Sequence, residues 1–185
     1  RQRGGDLAGA AEAYDRLIER HPGSTEGALG AWTAAQMYES IAQFSDAAHF
    51  YEVYSEHFPT AEHALDAIYN AVLLRVAVRD HDAAVRDATV FLERHPRDDL
   101  ADEVTFLMAR AHADAHAWND AARVYRDFIR DHGRNRDRVI EANTRLALVL
   151  MESGDAAGAA DALEAAMRVG RRERGLSDEG TYWLA

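Results

Sequence analysis

The sequence predicts an all-α protein, an α-solenoid of antiparallel helix pairs. Three observations carry this. Pro22, Pro59, Pro96, Gly133 and Gly170 stand at a fixed period of 37 residues. The first four close the same kind of stretch: GAAEAYDRLIERHP, DAAHFYEVYSEHFP, AAVRDATVFLERHP and DAARVYRDFIRDHG. Within each stretch, small and apolar residues recur at spacings of 4, 3 and 4, which stack them on one helical face. A helical repeat of this length buries its apolar face against its neighbours rather than in one closed core.

Residues 1–5 read as a polar lead-in, and Asp6–Arg20 as the second helix of a half repeat, 6–22, with Ala10, Tyr14, Leu17 and His21 on one face. Pro22-Gly23 ends it, because proline cannot continue a helix and glycine supplies the turn. In repeat 23–59, Ser24 or Thr25 caps a helix to about Ala42, and Ser45 caps its partner through His57. Ala47, Tyr51, Tyr54 and Phe58 form the face of that partner. Repeat 60–96 opens at Thr60 with a helix to about Arg79. It turns at Asp80-His81-Asp82, with Asp82 as cap, and carries the face Ala84, Ala88, Phe91, His95.

Repeat 97–133 has Asp98 or Asp99 capping a helix to about His116, then Asn119 capping the next, with Ala121, Tyr125, Phe128 and His132 on its face. Gly133 stands where proline stood and suits a left-handed helix terminator. Repeat 134–170 has a helix over 135–153, a turn at Gly154-Asp155, and a last helix over 156–169 with Gly158, Ala162, Ala165 and Val169 in line. In the partial repeat 171–185, Ser177 caps a further helix. About ten helices are expected, in a single repeat domain that is a piece of a longer protein. Ala10, Ala47, Ala84, Ala121 and Gly158 let paired helices approach closely, and the GxxxG of Gly154 and Gly158 is read as the same close packing.

Composition narrows the chemistry. Net charge is −11, the acid is spread over every segment, and all 21 basic residues are arginine. Without a basic stripe to displace counterions, nucleic acid is disfavoured as a partner. Without lysine there is no phosphate-loop or Schiff-base lysine. Without cysteine there is neither thiol catalysis nor a cysteine metal site. No run approaches the roughly 18 apolar residues of a membrane span. His112 and His116 are four apart, a spacing that can put two imidazoles on one metal, but HADAH lacks the glutamate of HExxH and no metal is assigned. No cofactor is expected, and the chain is not read as an enzyme.

These residues resemble the tetratricopeptide repeat (TPR) family in the small residue that opens the second helix, the aromatic four later at Tyr14, Tyr51 and Tyr125, and the closing proline at Pro22, Pro59 and Pro96. The resemblance runs from about Asp6 to Val169. It departs from the family in its period, 37 residues here against about 34. The tyrosine of the first helix is kept at Tyr38 but replaced at Arg75, His112 and Val149. The small residue expected seven after the opening alanine is large: Leu17, Tyr54, Phe91 and Phe128. In these departures the chain is similar to repeats of bacterial envelope lipoproteins of the barrel-assembly and Tol–Pal coordinator type.

The resemblance implies a TPR-like, right-handed α-solenoid and a non-catalytic scaffold that binds a peptide or protein segment in its concave groove. It also favours the bacterial cell envelope or periplasm, with the cytoplasm as alternative. The first helix of each pair would line that groove. At the 37-residue period, one column there reads Trp32, Tyr69, Phe106, Asn143, and its neighbours include Gln36, Asp66, Glu103 and Arg110. The aromatics are either anchors for a docked peptide or packing between helices. The polar residues either bond a bound backbone or form a solvated wall. A second reading is a structural or self-association module that packs through its ends or convex face.

Overall fold

The computed structural model describes residues 7–20, 23–131 and 135–171. The lead-in, the expected breaks at Pro22 and Gly133, the helix-end histidines His21 and His132, and the helix capped by Ser177 lie outside these residues. Among the described residues the protein is all-α, with nine helices and no strand: α1 (Leu7–Arg20), α2 (Thr25–Ser40), α3 (Phe44–His57), α4 (Ala64–Ala77), α5 (His81–Arg94), α6 (Ala101–Asp114), α7 (Trp118–Asp131), α8 (Arg136–Glu152) and α9 (Ala156–Arg171). The starts of α3, α5 and α7 keep the 37-residue period of the sequence.

The chain divides into two compact units, residues 1–96 and 97–185. In the first, α1 to α5 each pack on the next helix in sequence. Its core is built from the α3 face predicted above, with Ala47, Tyr51, Tyr54 and Phe58 all buried. Tyr38 of α2 stacks on Phe50 at 5.6 Å and 5°. Tyr51 Oη donates to Glu39 Oε2 at 2.8 Å, so the phenol enters the core without an unsatisfied hydroxyl. In the second unit, α6 to α9 again pack in sequence, around Phe106, Tyr125, Phe128, Leu146 and Leu150. Ala47, Ala84 and Ala121 have no exposed surface at all, as expected of residues at a close helix crossing.

One turn is used four times. Ala42 (φ 58°), Arg79 (φ 61°), His116 (φ 59°) and Gly154 (φ 85°) are left-handed and follow α2, α4, α6 and α8. After each, the next amide donates back across the turn: Gln43 to Tyr38, Asp80 to Arg75, Ala117 to His112 and Asp155 to Leu150, at 2.8 to 3.0 Å. This is the Schellman arrangement, which satisfies the last carbonyls of one helix while reversing the chain into its partner.

Several helix starts differ from the sequence reading. Ser24 caps α2 as expected, its Oγ accepting from Gly27 N at 3.0 Å. Asn135 caps α8, accepting from Arg138 N at 3.4 Å. Asp80, not Asp82, caps α5, accepting from Ala83 N at 3.3 Å, because it directly follows the left-handed residue. The same geometry starts α3 at Phe44 and α7 at Trp118, which leaves Ser45 and Asn119 inside their first turns. α4 begins at Ala64 rather than Thr60, and α6 at Ala101, where Asp98 instead accepts from Leu100 N within the preceding turn.

The last pair is also out of step. α8 has 17 residues where α4 and α6 have 14, and α9 starts 38 residues after α7 rather than 37. The extra residue rotates the apolar pattern, so α9 buries Ala159, Ala162, Ala166 and Gly170 instead of the predicted line. Gly154 serves the turn, and the atoms nearest a Cβ at Gly158 would be the side chain of its own cap, Asp155. The two glycines of the GxxxG thus sit in a turn and at a capped helix start.

A left-handed residue with a Cβ costs on the order of 1 kcal/mol. Ala42→Gly should therefore stabilise the first unit, raising its melting temperature by roughly 2–4 °C. Thermal unfolding followed by circular dichroism checks this, and an unchanged or lower midpoint counts against it.

Candidate functional site

The first unit carries an open cleft of about 460 Å³ between the start of α2, the end of α3 and the loop over 59–63. The sequence builds it in two steps. Pro59 follows the end of α3, and α4 does not begin until Ala64, so residues 59–63 fold back beside α2. Trp32 then meets this loop: its ring stacks on His63 at 4.5 Å and 19°. Its other neighbours are Tyr51 at 5.3 Å and Tyr54 at 5.4 Å. His63 Nδ1 lies 3.5 Å from Asp66 Oδ2, on the first turn of α4. Leu29, one turn before Trp32, lines the same cleft and is 65% exposed.

The other predicted residues fall into different settings. In the first unit Gln36 is exposed and Tyr69 is half-buried, with its ring 6.4 Å from Phe91. In the second, Phe106 is only 3% exposed. It is covered by two guanidinium groups, Arg138 at 5.6 Å and Arg145 at 5.5 Å from the ring centroid. Both arginines pair with Glu141, at 2.8 and 2.7 Å, and Arg138 also lies 4.0 Å from Glu103. Phe106 is thus core, roofed by an ion-pair network. Arg110 lies 3.6 Å from Asp114. Asn143 is 5% exposed and donates to Val139 O at 2.8 Å. It lines a second cleft, of about 420 Å³, between the start of α8 and the end of α9, together with Arg136 and Arg168. The first and last members of the column therefore each line a cleft at the same ends of a helix pair; the second also has Ile129, Val139, Ala165 and Val169 in its wall.

The most perturbed titratable group is one the sequence reading did not single out. Asp87 of α5 is 7% exposed, and its Oδ2 has no hydrogen-bond partner. Burial, then the charge of Glu52 and a hydrogen bond with it, push its pKa up to about 8, against the pull of Arg75 and Arg86. Glu52 of α3 also accepts from Arg75 Nε at 2.5 Å, and Arg75 Nη1 reaches Asp80 Oδ2 at 3.2 Å. One arginine thus ties α3 to α4 beside a carboxyl that keeps its proton. The signal was present: Asp87 sits on the apolar stripe, three residues after Ala84 and four before Phe91.

His112 and His116 do not share a helical face, since His116 lies beyond the end of α6 in the left-handed turn. His112 is half-buried, and burial lowers its pKa. His57 and His95 lie at the ends of α3 and α5. Among the described residues no group of three or more His, Cys, Asp or Glu is placed to hold a metal, and no helix is long and apolar enough to cross a membrane.

A tetratricopeptide-repeat family model matches residues 1–24. No curated protein matches the chain. Among solved structures, the chain is similar to MamA from Desulfovibrio magneticus RS-1, at 11% identity and a TM-score of 0.59 over 94% of this chain and 100% of that one. It is also similar to a Podosopora anserina chain of nearly identical TPR-like repeats, at 12% identity and a TM-score of 0.63 over 92% and 90%. A third likeness is to YrrB, described as a TPR protein with an unusual peptide-binding site, at 15% identity and a TM-score of 0.55 over 96% and 82%. These likenesses support a TPR-like solenoid fold, an architecture that typically mediates protein–protein interaction.

The raised pKa of Asp87 has a signed consequence. The folded state holds this proton up to about pH 8, whereas the unfolded chain releases it near the ordinary carboxyl value. The favourable contribution is therefore complete in acid and is lost as pH rises from about 4 to about 8. Asp87→Asn should flatten this slope and be more stable than wild type at pH 8. Urea unfolding at pH 5 and pH 8 measures the difference, and parallel pH dependences in the two proteins would reject it.

Proposed function

We propose that this chain is a non-catalytic scaffold that docks a peptide or protein segment in the Trp32 cleft. The observation that carries the proposal is Leu29, an apolar side chain 65% exposed beside the aromatic wall of Trp32, Tyr54 and Phe58. Large apolar side chains in a concave site of several hundred Å³ are the usual ground for an anchor residue. Among the described residues, no metal cluster competes with this reading. The spread of acid over the chain speaks against nucleic acid as the segment bound. Membership of a larger bacterial protein of the cell envelope rests on the sequence resemblance alone.

Self-association is the second reading, and one observation favours it. Leu163 and Met167 on α9 are 41% and 42% exposed. Counted from the helix starts, they stand where α7 carries the buried Tyr125 and the half-buried Ile129. An apolar face of this kind is suited to a further helix or a second copy. Under this reading sedimentation at rising concentration shows a dimer that Leu163→Glu, Met167→Glu abolishes; a monomer throughout removes it.

For the docking reading, selection from a random peptide display library should enrich peptides that bind the wild-type chain. Leu29→Ala should weaken them roughly tenfold or more, as expected for a central anchor. Because Leu29 is exposed, the same substitution should change stability by no more than about 0.5 kcal/mol, which separates lost binding from lost fold. Trp32→Ala should weaken them at least as much. Peptides that bind both variants as they bind wild type would reject the cleft.

A further inference from the structure

Between Arg20 and Arg75 the sequence contains seven acidic residues and no arginine, in a chain that has no lysine anywhere. This arginine-free stretch holds the whole of α2, α3 and the loop over 59–63, together with most of α4. It therefore supplies every residue that lines the Trp32 cleft. Elsewhere the surface carries mixed charge: α7, for example, pairs Arg123 with Asp120 and Arg130 with Asp127. Arginines from outside the stretch do reach it, Arg75 at Glu52 and Arg94 at Ser55 O, 3.1 Å, but among the described residues neither is paired with Glu62 or Asp66. Glu62 lines it, and Asp66 lies 3.5 Å from the cleft-lining His63. Glu26 and Glu56, on the adjoining turns of α2 and α3, are exposed.

The geometry points to a basic peptide segment as the ligand of this cleft, with an apolar side chain seated against Leu29 and Trp32 and flanking arginine or lysine facing Glu62 and Asp66. This rests on the docking reading above and adds the chemistry of the partner to it. The apolar floor gives the anchor its buried surface. One sign of charge around the floor favours the opposite sign in the partner, raises the rate of encounter, and discriminates against acidic segments. Because the carboxylates are exposed, their contribution is screened by salt, whereas the apolar anchor is not.

Two synthetic peptides of equal length test this, each with a central Leu-Leu pair, one flanked by arginines and the other by glutamates. Calorimetric titration should give the arginine peptide an affinity at least about tenfold higher at low salt, and this advantage should shrink as salt is raised. Glu62→Gln combined with Asp66→Asn should weaken the arginine peptide several-fold and leave the glutamate peptide unweakened, while circular dichroism stays that of wild type. Leu29→Ala should weaken the arginine peptide at both salt concentrations. The assignment is overturned if the glutamate peptide binds as tightly, if the double substitution has no effect on the arginine peptide, or if neither peptide binds. A glutamate peptide that binds tightly and loses affinity with Leu29→Ala would overturn the charge assignment alone. Peptides from the display library that ignore Leu29 would remove the cleft itself.

Discussion

The helix pairs depend on a methyl group placed near the start of α3, α5 and α7. Ala47, Ala84 and Ala121 are each fully buried, and the crossing they allow sets the depth at which every larger residue is packed. One or two turns further along, the aromatic rings find the gap that the crossing leaves: Tyr51 and Tyr54 on α3, Phe91 on α5, Tyr125 and Phe128 on α7. Enlarging the alanine would force the helices apart and strand the rings, so small and large residues act as one unit. The left-handed turns serve the same geometry. By ending each first helix within a residue of the same place, they return the chain with the alanine facing the crossing.

Much of this was legible because it is periodic. A constant interval, a recurring small residue and a recurring ring identify helix pairs without any knowledge of their neighbours. The caps were less legible. Ser45, Asp82 and Asn119 are all chemically able to cap a helix, yet the starting point is fixed by the left-handed residue before it. Those residues are Ala42, Arg79 and His116, none of which announces a positive φ as glycine does. The one-residue slip at α9 was hidden for a related reason: Gly170 keeps the period in the sequence, while the extra residue is absorbed earlier, in α8.

The candidate site was half legible. The column Trp32, Tyr69, Phe106, Asn143 is a fact of the period, but the setting of each member depends on partners contributed by other helices. Trp32 lines a cleft because the loop over 59–63 folds beside it and offers His63. Phe106 is closed over because α8 places Arg138 and Arg145 on its ring and Glu141 between them. Neither outcome follows from the aromatic residue itself. The arginine-free interval around Trp32, by contrast, needs only the positions of charges along the chain, and becomes informative once the cleft is known to lie inside it.

A repeat scaffold separates what holds it together from what it can recognise. The opening alanine is the same in α3, α5 and α7, and each carries a ring seven residues later, Tyr54, Phe91 and Phe128, so the positions they leave on the first helices are free to vary. The two clefts illustrate the result. Both lie at the start of a first helix and the end of a second, yet one is walled by the rings of Trp32, Tyr54 and Phe58 and the other by aliphatic side chains with Asn143, Arg136 and Arg168. Changing one wall requires no change in the crossing beneath it. Unlike side chains therefore stand at equivalent places of the scaffold without any change in how its helices pack.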